Sequence, residues 1–405
     1  MLRKSWITVT MLTILLAGCQ QSTGSSGGVS TPQDTKTPEP TTAASTPTPS
    51  VKPAESPAAT QAAQEPSQGQ KQEATGKVTA LRLADAQHGW SGGENWVART
   101  DDGGVHWQVQ WKSPGEVKQI FALNDQEAWV TLAETGALFS TTDGGKHWKE
   151  AGAVPNQGFL HFVSKKEAYS ANAKSVDGGM RWSQLPVPDS IVGDAYFHDK
   201  DNGWAVQQKG QNVLVMRTQN GGSTWKQVMS KETVEPVNGA VIRSAGKDDA
   251  WIELIGGTGM TQTSYSLFHT EDGGKSWKTV LAQSSAGGGP APGFPLNYTD
   301  GPVNGGSKPG TLYVASPSVA FMAGECPACD EDKQNTIGWT KDGGKTWTIG
   351  KSAFGGNTGL LLAMADAKQG WLISTDNGKP SVMYTTNDGG VNWKQVHTFP
   401  FDVKK

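Results

Sequence analysis

Short runs that alternate apolar and polar residues recur along most of the chain. Val78 to Leu83 (VTALRL) and Lys118 to Leu123 (KQIFAL) are two examples. A period of two residues is typical of β-strands that bury one face. Because glycine-rich turns separate such runs throughout residues 77–399, the pattern predicts many short antiparallel strands and no long helices.

One motif follows seven of these segments: Thr or Ser, any residue, Asp, two glycines, any two residues and Trp. The Asp carboxylate can accept hydrogen bonds from backbone amides of the turn, and glycine supplies the positive φ that the turn needs. Asn220 replaces Asp in the fourth copy, and Asn can form the same turn. The predicted turn positions are Asp102, Asp143, Asp177, Asn220, Asp272, Asp342 and Asp388. The tryptophans, which we expect to pack on a neighbouring unit, are Trp107, Trp148, Trp182, Trp225, Trp277, Trp347 and Trp393.

A second motif, an aromatic residue preceded by Gly or Ala, alternates strictly with the first. Its members are Trp90, Trp129, Tyr169, Trp204, Trp251, Phe321 and Trp371. Seven units of about 35–70 residues each match the size of a four-stranded propeller blade. We therefore predict an all-β fold, a seven-bladed β-propeller of four-stranded antiparallel blades, over residues 77–400.

The repeats resemble the Asp-box (bacterial neuraminidase) repeat, and their arrangement in seven is similar to the photosystem II stability/assembly factor family. The resemblance implies that the motif is a structural fastener on the turn between the third and fourth strands. It also implies a membrane-tethered chaperone that binds partner proteins during assembly. Members of that family often present an arginine-rich patch, whereas this chain has only six arginines, so we do not carry over the photosystem partner.

The first nineteen residues have the features of a targeting segment. Arg3 and Lys4 precede an apolar stretch, and the segment ends in Leu16-Ala17-Gly18-Cys19, which resembles the lipobox of bacterial lipoproteins. That resemblance implies lipidation at Cys19 and attachment to the extracytoplasmic face of the cell membrane. The alternative is an ordinary secretory signal with an incidental cysteine. Residues 20–76, rich in Ser, Thr, Pro and Gln, are predicted to be a disordered tether.

Propeller geometry predicts which loops share a face. The turns between strands one and two and between strands three and four lie on one face, and the remaining loops lie on the other. Long segments at 256–262, 284–310 and 324–336 all fall on that other face, on adjacent blades. Long loops in compact domains are often functional, although drift in tolerant loops is the alternative. The predicted binding rim consists of Phe294, Tyr298, Asp300, Asp330, Glu331 and Asp332.

Cys326 and Cys329 form a CxxC motif within this rim. Such a pair can be redox-active, can bind a metal or can form a structural disulfide. No helix is predicted to lower the thiol pKa, and no further metal ligands lie nearby in the sequence. Outside the cytoplasm a disulfide is the simplest interpretation, so we predict a disulfide and neither a metal nor a cofactor.

Composition narrows the function classes. The net charge of −3 argues against a nucleic-acid partner. A sialidase needs three arginines on the substrate carboxylate, and no Arg follows Arg243. We therefore expect no catalytic residues and a monomeric, membrane-anchored binding or assembly scaffold with a protein partner. Carbohydrate or cell-wall binding is the alternative, favoured if Trp96, Trp111 and Trp339, or Phe294 and Tyr298 of the rim, line an open groove. A glycosidase with two carboxylates is a less favoured alternative.

Overall fold

The computed structural model describes residues 75–401, in which 28 strands form seven four-stranded antiparallel sheets. Within every sheet the strands follow chain order. The seven-bladed propeller expected from the repeats is therefore confirmed. No helix in this part of the chain is long and apolar enough to cross a membrane. The predicted signal peptide, Cys19 and nearly all of the predicted tether lie outside the described residues.

Each blade contributes one strand to each of four concentric positions. The first strands are β1 (Val78–Leu83), β5 (Val117–Ala122), β9 (Leu160–Phe162), β13 (Tyr196–Phe197), β17 (Gly239–Arg243), β21 (Lys308–Ser316) and β25 (Leu360–Met364). The second strands are β2 (Gly89–Gly93), β6 (Ala128–Leu132), β10 (Ala168–Ser170), β14 (Gly203–Lys209), β18 (Ala250–Thr258), β22 (Val319–Glu325) and β26 (Gly370–Ser374). The third strands are β3 (Trp96–Thr100), β7 (Ala137–Thr141), β11 (Ala173–Ser175), β15 (Asn212–Thr218), β19 (Thr263–Thr270), β23 (Asn335–Thr340) and β27 (Val382–Thr386). The fourth strands are β4 (Gln108–Trp111), β8 (Lys149–Ala153), β12 (Ser183–Gln184), β16 (Lys226–Glu232), β20 (Lys278–Gln283), β24 (Thr348–Phe354) and β28 (Lys394–Thr398).

The first strands surround the central axis. Strand β1 packs against β5 on one side and β25 on the other, and β21 packs against β25. The fourth strands pair only with the third strands of their own blades. A central channel bordered by the seven first strands results, and the fourth strands form the outer edge.

The hydrophobic core lies between blades. The aromatic residues of the second strands are all buried, and Trp90, Trp204 and Trp251 are completely enclosed. Each core cluster contains residues of two successive blades, as where Trp251 of the fifth blade packs with Met322 of the sixth. A single blade cannot bury both faces, so the array is stable only as a stack of neighbours.

The ring closes without exchange of a strand between the first and last blades. The backbone amides of Thr75 and Gly76 both donate to the Pro400 carbonyl at 3.0 Å. Trp107 of the first blade packs on Trp371 of the seventh, with ring centroids 5.9 Å apart, and on Phe399. Side-chain packing and a few hydrogen bonds therefore join the ends, and every blade is one continuous piece of sequence.

Candidate functional site

The seven Asp-box turns repeat one set of hydrogen bonds. In each, the Thr or Ser hydroxyl donates to the Asp or Asn side chain at 2.8–3.0 Å. That hydroxyl also accepts the amide of the second glycine at 2.8–3.0 Å. The same side-chain oxygen accepts the amide four residues further on at 2.9–3.0 Å. Asn220 makes these bonds too, because its amide oxygen takes the place of the carboxylate oxygen.

The Asp-box turns are also tied to the turn between strands one and two of their own blade. In all seven blades the amide of the first glycine donates to a carbonyl of that turn at 2.8–3.0 Å. Hydrogen bonding lowers the pKa of the box carboxylates, to about 2 for Asp143, Asp272, Asp342 and Asp388. The carboxylates are thus engaged in the turns themselves, and this face is built from fastened, regular structure.

Side chains just before the Asp boxes join neighbouring blades on the same face. Arg99 donates to the Gly144 carbonyl of the next blade at 3.2 Å, and Arg217 donates to the Gly273 carbonyl at 3.0 Å. The two guanidinium groups lie 4.8 and 5.1 Å from the ring centroids of Trp90 and Trp204. These arginines therefore act as structural links rather than as ligands for a substrate.

The box tryptophans pack on the preceding blade but are less enclosed than the second-strand aromatics. Trp107 is buried and the other six are half-buried. Trp277 donates to the Val228 carbonyl of the fourth blade at 3.1 Å, and Trp347 donates to Asn304 at 3.1 Å. They are thus packing residues at the outer part of the blade interface.

The structure divides the predicted rim into two parts that face different blades. Phe294 stacks on Tyr298, with centroids 4.3 Å apart, and on Phe268, and the Lys231 ammonium lies 5.6 Å from the Phe294 ring centroid. These aromatics therefore contact the fourth and fifth blades. Asp300 is exposed at the end of the same segment.

The second part of the rim is the loop between β22 and β23. Glu331 pairs with Lys379 of the seventh blade, Asp330 pairs with Lys333 at 3.1 Å, and Asp332 is exposed. Cys326 and Cys329 are joined in a disulfide with their Cα atoms 5.4 Å apart. The acidic loop therefore contacts the seventh blade, whereas the aromatic part of the rim contacts the fourth and fifth blades.

The two most exposed large apolar side chains of this face lie in its loops. Met260, in the hairpin between β18 and β19, is 96% exposed, and Leu296 is 74% exposed. The loops that carry them are held in place, since Ser307 donates to the Thr261 carbonyl and Ser264 donates to the Gly288 carbonyl at 2.8 Å. The rim thus presents apolar side chains on hydrogen-bonded loops.

The three tryptophans considered for a sugar-binding groove are either buried or stacked on another aromatic ring. Trp96 and Trp339 are buried, and Trp111 stacks on Trp148 with centroids 5.5 Å apart. Aromatic faces that bind sugars must be open to solvent. The observation that would favour carbohydrate binding is therefore not met at these three positions. Nor does the described part of the chain contain a group of three or more His, Cys, Asp or Glu arranged to hold a metal ion.

The propeller has a central channel that was not predicted from the sequence. A cavity of about 480 Å³ lies on the axis, and its wall includes the residue of each first strand that pairs with the second-strand aromatic. These residues, called here the channel ring, are Arg82, Phe121, His161, Tyr196, Arg243, Tyr313 and Ala363. Each lies eight positions before its aromatic in the sequence. That constant offset is the signal that could have identified them.

Several side chains of the channel ring are tightly packed and partly unpaired. His161 stacks on Tyr196 with centroids 5.0 Å apart. Burial, with a smaller effect of His198, lowers the pKa of His161 to about 3, so its ring is neutral. Neither ring nitrogen has a well-formed hydrogen bond, although backbone groups of Phe197 and His198 are close enough to raise the pKa slightly. Behind Arg243, burial raises the pKa of Glu253 to about 8.

Comparison with known proteins agrees with the repeat pattern. Residues 173–298, less than half of the chain, match the model of the family described as "Photosynthesis system II assembly factor YCF48". The resemblance to this family is confirmed. The matched segment runs from β11 to the long loop after β20. A search of curated proteins found no match.

Solved structures with a similar fold include "YCF48 bound to D1 peptide", at 16% identity over 80% of this chain and 95% of that one, with a TM-score of 0.45. "YCF48 from Cyanidioschyzon merolae" matches at 15% identity over 78% of this chain and 94% of that one, with a TM-score of 0.46. A GH74 enzyme from Niastella koreensis matches at 13% identity over 80% of this chain and 65% of that one, with a TM-score of 0.36.

Proposed function

We propose that the protein is a lipid-anchored, extracytoplasmic scaffold that binds a partner protein through the rim. One observation carries the proposal: Met260 and Leu296 are exposed apolar side chains on hydrogen-bonded loops of one face. Apolar anchors surrounded by polar groups are typical of protein interfaces. The ammonium group of Lys231, 5.6 Å from the ring centroid of Phe294 in the segment that carries Leu296, supplies a polar neighbour.

The family match supports a binding role rather than catalysis. The matched family is described as an assembly factor, and the matched residues 173–298 include both Met260 and Leu296. The Asp-box carboxylates are engaged in their turns, which leaves the opposite face for recognition. The anchor itself rests on Cys19 and its lipobox.

The test of the binding surface is site-specific photo-crosslinking in intact cells. A photoreactive amino acid is placed at Leu296 and, as the matched control, at Met180, which is 60% exposed on the Asp-box face. We expect a defined protein adduct from position 296, and we expect Leu296→Asp combined with Met260→Asp to abolish capture by the anchored protein. Equal adducts from positions 296 and 180, or capture unchanged by the double substitution, would refute rim binding.

The anchor is tested separately. We expect the Cys19→Ser variant to leave the membrane fraction or to keep an uncleaved signal peptide, because lipidation at that thiol provides two acyl chains. Fractionation of cells that express each form gives the answer. A Cys19→Ser protein that is processed and retained like the natural chain would contradict lipid anchoring without affecting the rim.

A further inference from the structure

The cavity on the propeller axis has an unbalanced set of charges. Arg82, Lys118 and Arg243 line it, together with His161 and His198, and no Asp or Glu is among the described residues of its wall. A smaller cavity of about 280 Å³ shares Lys118, His161 and Arg243 with it and adds Asp194, which is exposed. Three cations therefore line one cavity whose own wall carries no carboxylate.

The arginines that line the channel, Arg82 and Arg243, differ in their hydrogen-bond and ion-pair partners from the arginines beside the Asp boxes, Arg99 and Arg217. Arg99 and Arg217 give their donors to backbone carbonyls and to acidic side chains of their own or the next blade. Arg243 donates to the Ile242 carbonyl beside it at 2.8 Å and has no ion pair among the described residues. The guanidinium groups that link blades each form an ion pair with an Asp, whereas the one on the channel has no such partner among the described residues.

Arg82 also has a donor without a hydrogen-bond partner. Its guanidinium carbon lies 4.6 Å from the Phe121 ring centroid, and its Nε is buried without a hydrogen-bond partner. A buried, unpaired donor on a charged group costs free energy. Planar guanidinium groups bind a carboxylate through two parallel hydrogen bonds, so a carboxylate in the cavity would supply the charged partner that Arg82 lacks among the described residues.

The rest of the wall is apolar and aromatic. Its residues include Phe121, Phe159, Phe162, Leu81 and Leu361. The hydroxyl groups of the two ring tyrosines are already engaged, as Tyr196 donates to the Ser244 carbonyl at 3.2 Å and Tyr313 to the Met364 carbonyl at 2.9 Å. A volume of about 480 Å³ lies within the range of small-molecule sites.

We propose that the central channel is a binding site for a small organic carboxylate with an apolar body, whose carboxylate is held by Arg82 and Arg243 and whose body packs on the aromatic wall. Inorganic anions fit the charge but leave the apolar wall unused. No residue of the rim is among the residues that line this cavity.

The test is calorimetric titration of the full chain with 2-naphthoate, with neutral 2-naphthamide and inorganic phosphate as comparison probes. We expect saturable one-site binding of 2-naphthoate and at least tenfold weaker binding of the other two. Arg82→Gln and Arg243→Gln are each expected to weaken 2-naphthoate binding at least tenfold. The matched control, Arg181→Gln, removes an arginine from the exposed surface of an Asp box and is expected to leave binding unchanged.

A further variant keeps the test informative if either arginine substitution prevents folding. Leu361→Trp retains all charges but fills the cavity, and we expect it to abolish 2-naphthoate binding. The proposal is overturned if 2-naphthamide or phosphate binds as tightly as 2-naphthoate. It is equally overturned if the wild-type protein does not bind 2-naphthoate, or if Leu361→Trp folds and binds it as the wild type does.

Discussion

The two faces of the propeller are built from the same seven blades but differ in how much of their structure is repeated. On the Asp-box face, every blade makes the same hydrogen bonds within its turn and to the turn beside it. On the opposite face, the connection between β10 and β11 is only two residues, whereas residues 284–307 separate β20 from β21. The same strands therefore support a fixed face and a variable one.

This difference shows where sequence change is tolerated. The fixed face joins the blades, because its arginine links and box tryptophans contact the neighbouring blade. The loops of the variable face also contact other blades, as Glu331 does with Lys379, but these contacts are not repeated from blade to blade. Substitutions should therefore cost more stability on the fixed face, and the predictions below test this expectation.

The largest expected effect compares two glycines of the fourth blade that both have positive φ. Gly222, in the Asp box, has a φ of 86°, and an added Cβ would lie 2.1 Å from the Pro186 carbonyl oxygen of the third blade. Gly210, in the hairpin on the other face, has a φ of 59° and nothing within 4 Å of such a Cβ. We expect Gly222→Ala to lower the free energy of unfolding by about 3 kcal/mol.

The matched substitution Gly210→Ala should cost only about 1 kcal/mol, since it adds backbone strain without a clash. Urea denaturation of both variants measures the two values. Equal losses at the two positions would show that contact with the preceding blade does not constrain the Asp box.

The next comparison removes one charged link from each face. Arg217→Met keeps the packing on Trp204 but leaves the carbonyls of Gly273 and Lys247 without their donor. We expect a loss of about 2 kcal/mol in the free energy of unfolding. Lys379→Met breaks the exposed pair with Glu331 and should leave the free energy of unfolding nearly unchanged, because solvent screens such a pair. Chemical denaturation checks both, and a larger loss for Lys379→Met would reverse the assignment of the faces.

A smaller effect is expected from a single hydroxyl of the Asp box. Thr270→Val retains the shape of the side chain but removes the bond to Asp272 and leaves the buried Gly274 amide without an acceptor. We expect a loss of about 1.5 kcal/mol in the free energy of unfolding. Thr270→Ser should lose less than about 0.5 kcal/mol, because Ser175 makes the same bonds in the third blade. A Ser variant as unstable as the Val variant would mean that the methyl group matters more than the hydroxyl.

The last comparison uses pH to distinguish the interior of the propeller from the Asp-box face. Burial raises the pKa of Glu253 to about 8, above its unfolded value of 4.5. Its stabilising contribution is therefore complete below pH 4.5 and is lost as the pH rises towards 8. We expect the free energy of unfolding to fall between pH 5 and pH 7 because of this one carboxyl group, and Glu253→Gln should remove that slope.

The Asp-box carboxylates give the opposite dependence. Hydrogen bonding lowers the pKa of Asp272 and Asp388 to about 2, so their stabilisation is present above pH 4 and is lost as the pH falls towards 2. Denaturation curves from pH 3 to pH 8 separate the two effects. A slope between pH 5 and pH 7 that persists in Glu253→Gln would show that another group is responsible.

Much of the fold could be predicted because each repeated residue serves an interaction within its own turn. The Asp, glycine and Trp positions each serve one turn, and Val78–Leu83 was predicted with the bounds that the structure has. The candidate site was harder to predict. The rim residues were chosen for their loops, but Phe294 and Tyr298 stack on each other and Glu331 is paired, while the exposed Met260 and Leu296 were overlooked. The exposure of a side chain depends on how the loops pack, and the length of a loop does not predict this packing.

The sequence by itself determined the number of blades, their strand order and the turns that fasten them, because these depend on residues close together in the chain. Only the tertiary structure revealed that the ring closes without strand exchange and that one residue from each of seven blades meets around the axis. Arg82 and Arg243 are 161 residues apart in the chain, and each looks like a single charge in an apolar strand. Closure of the ring places them on one cavity, since strands that pair only locally are brought together by the packing of all seven blades.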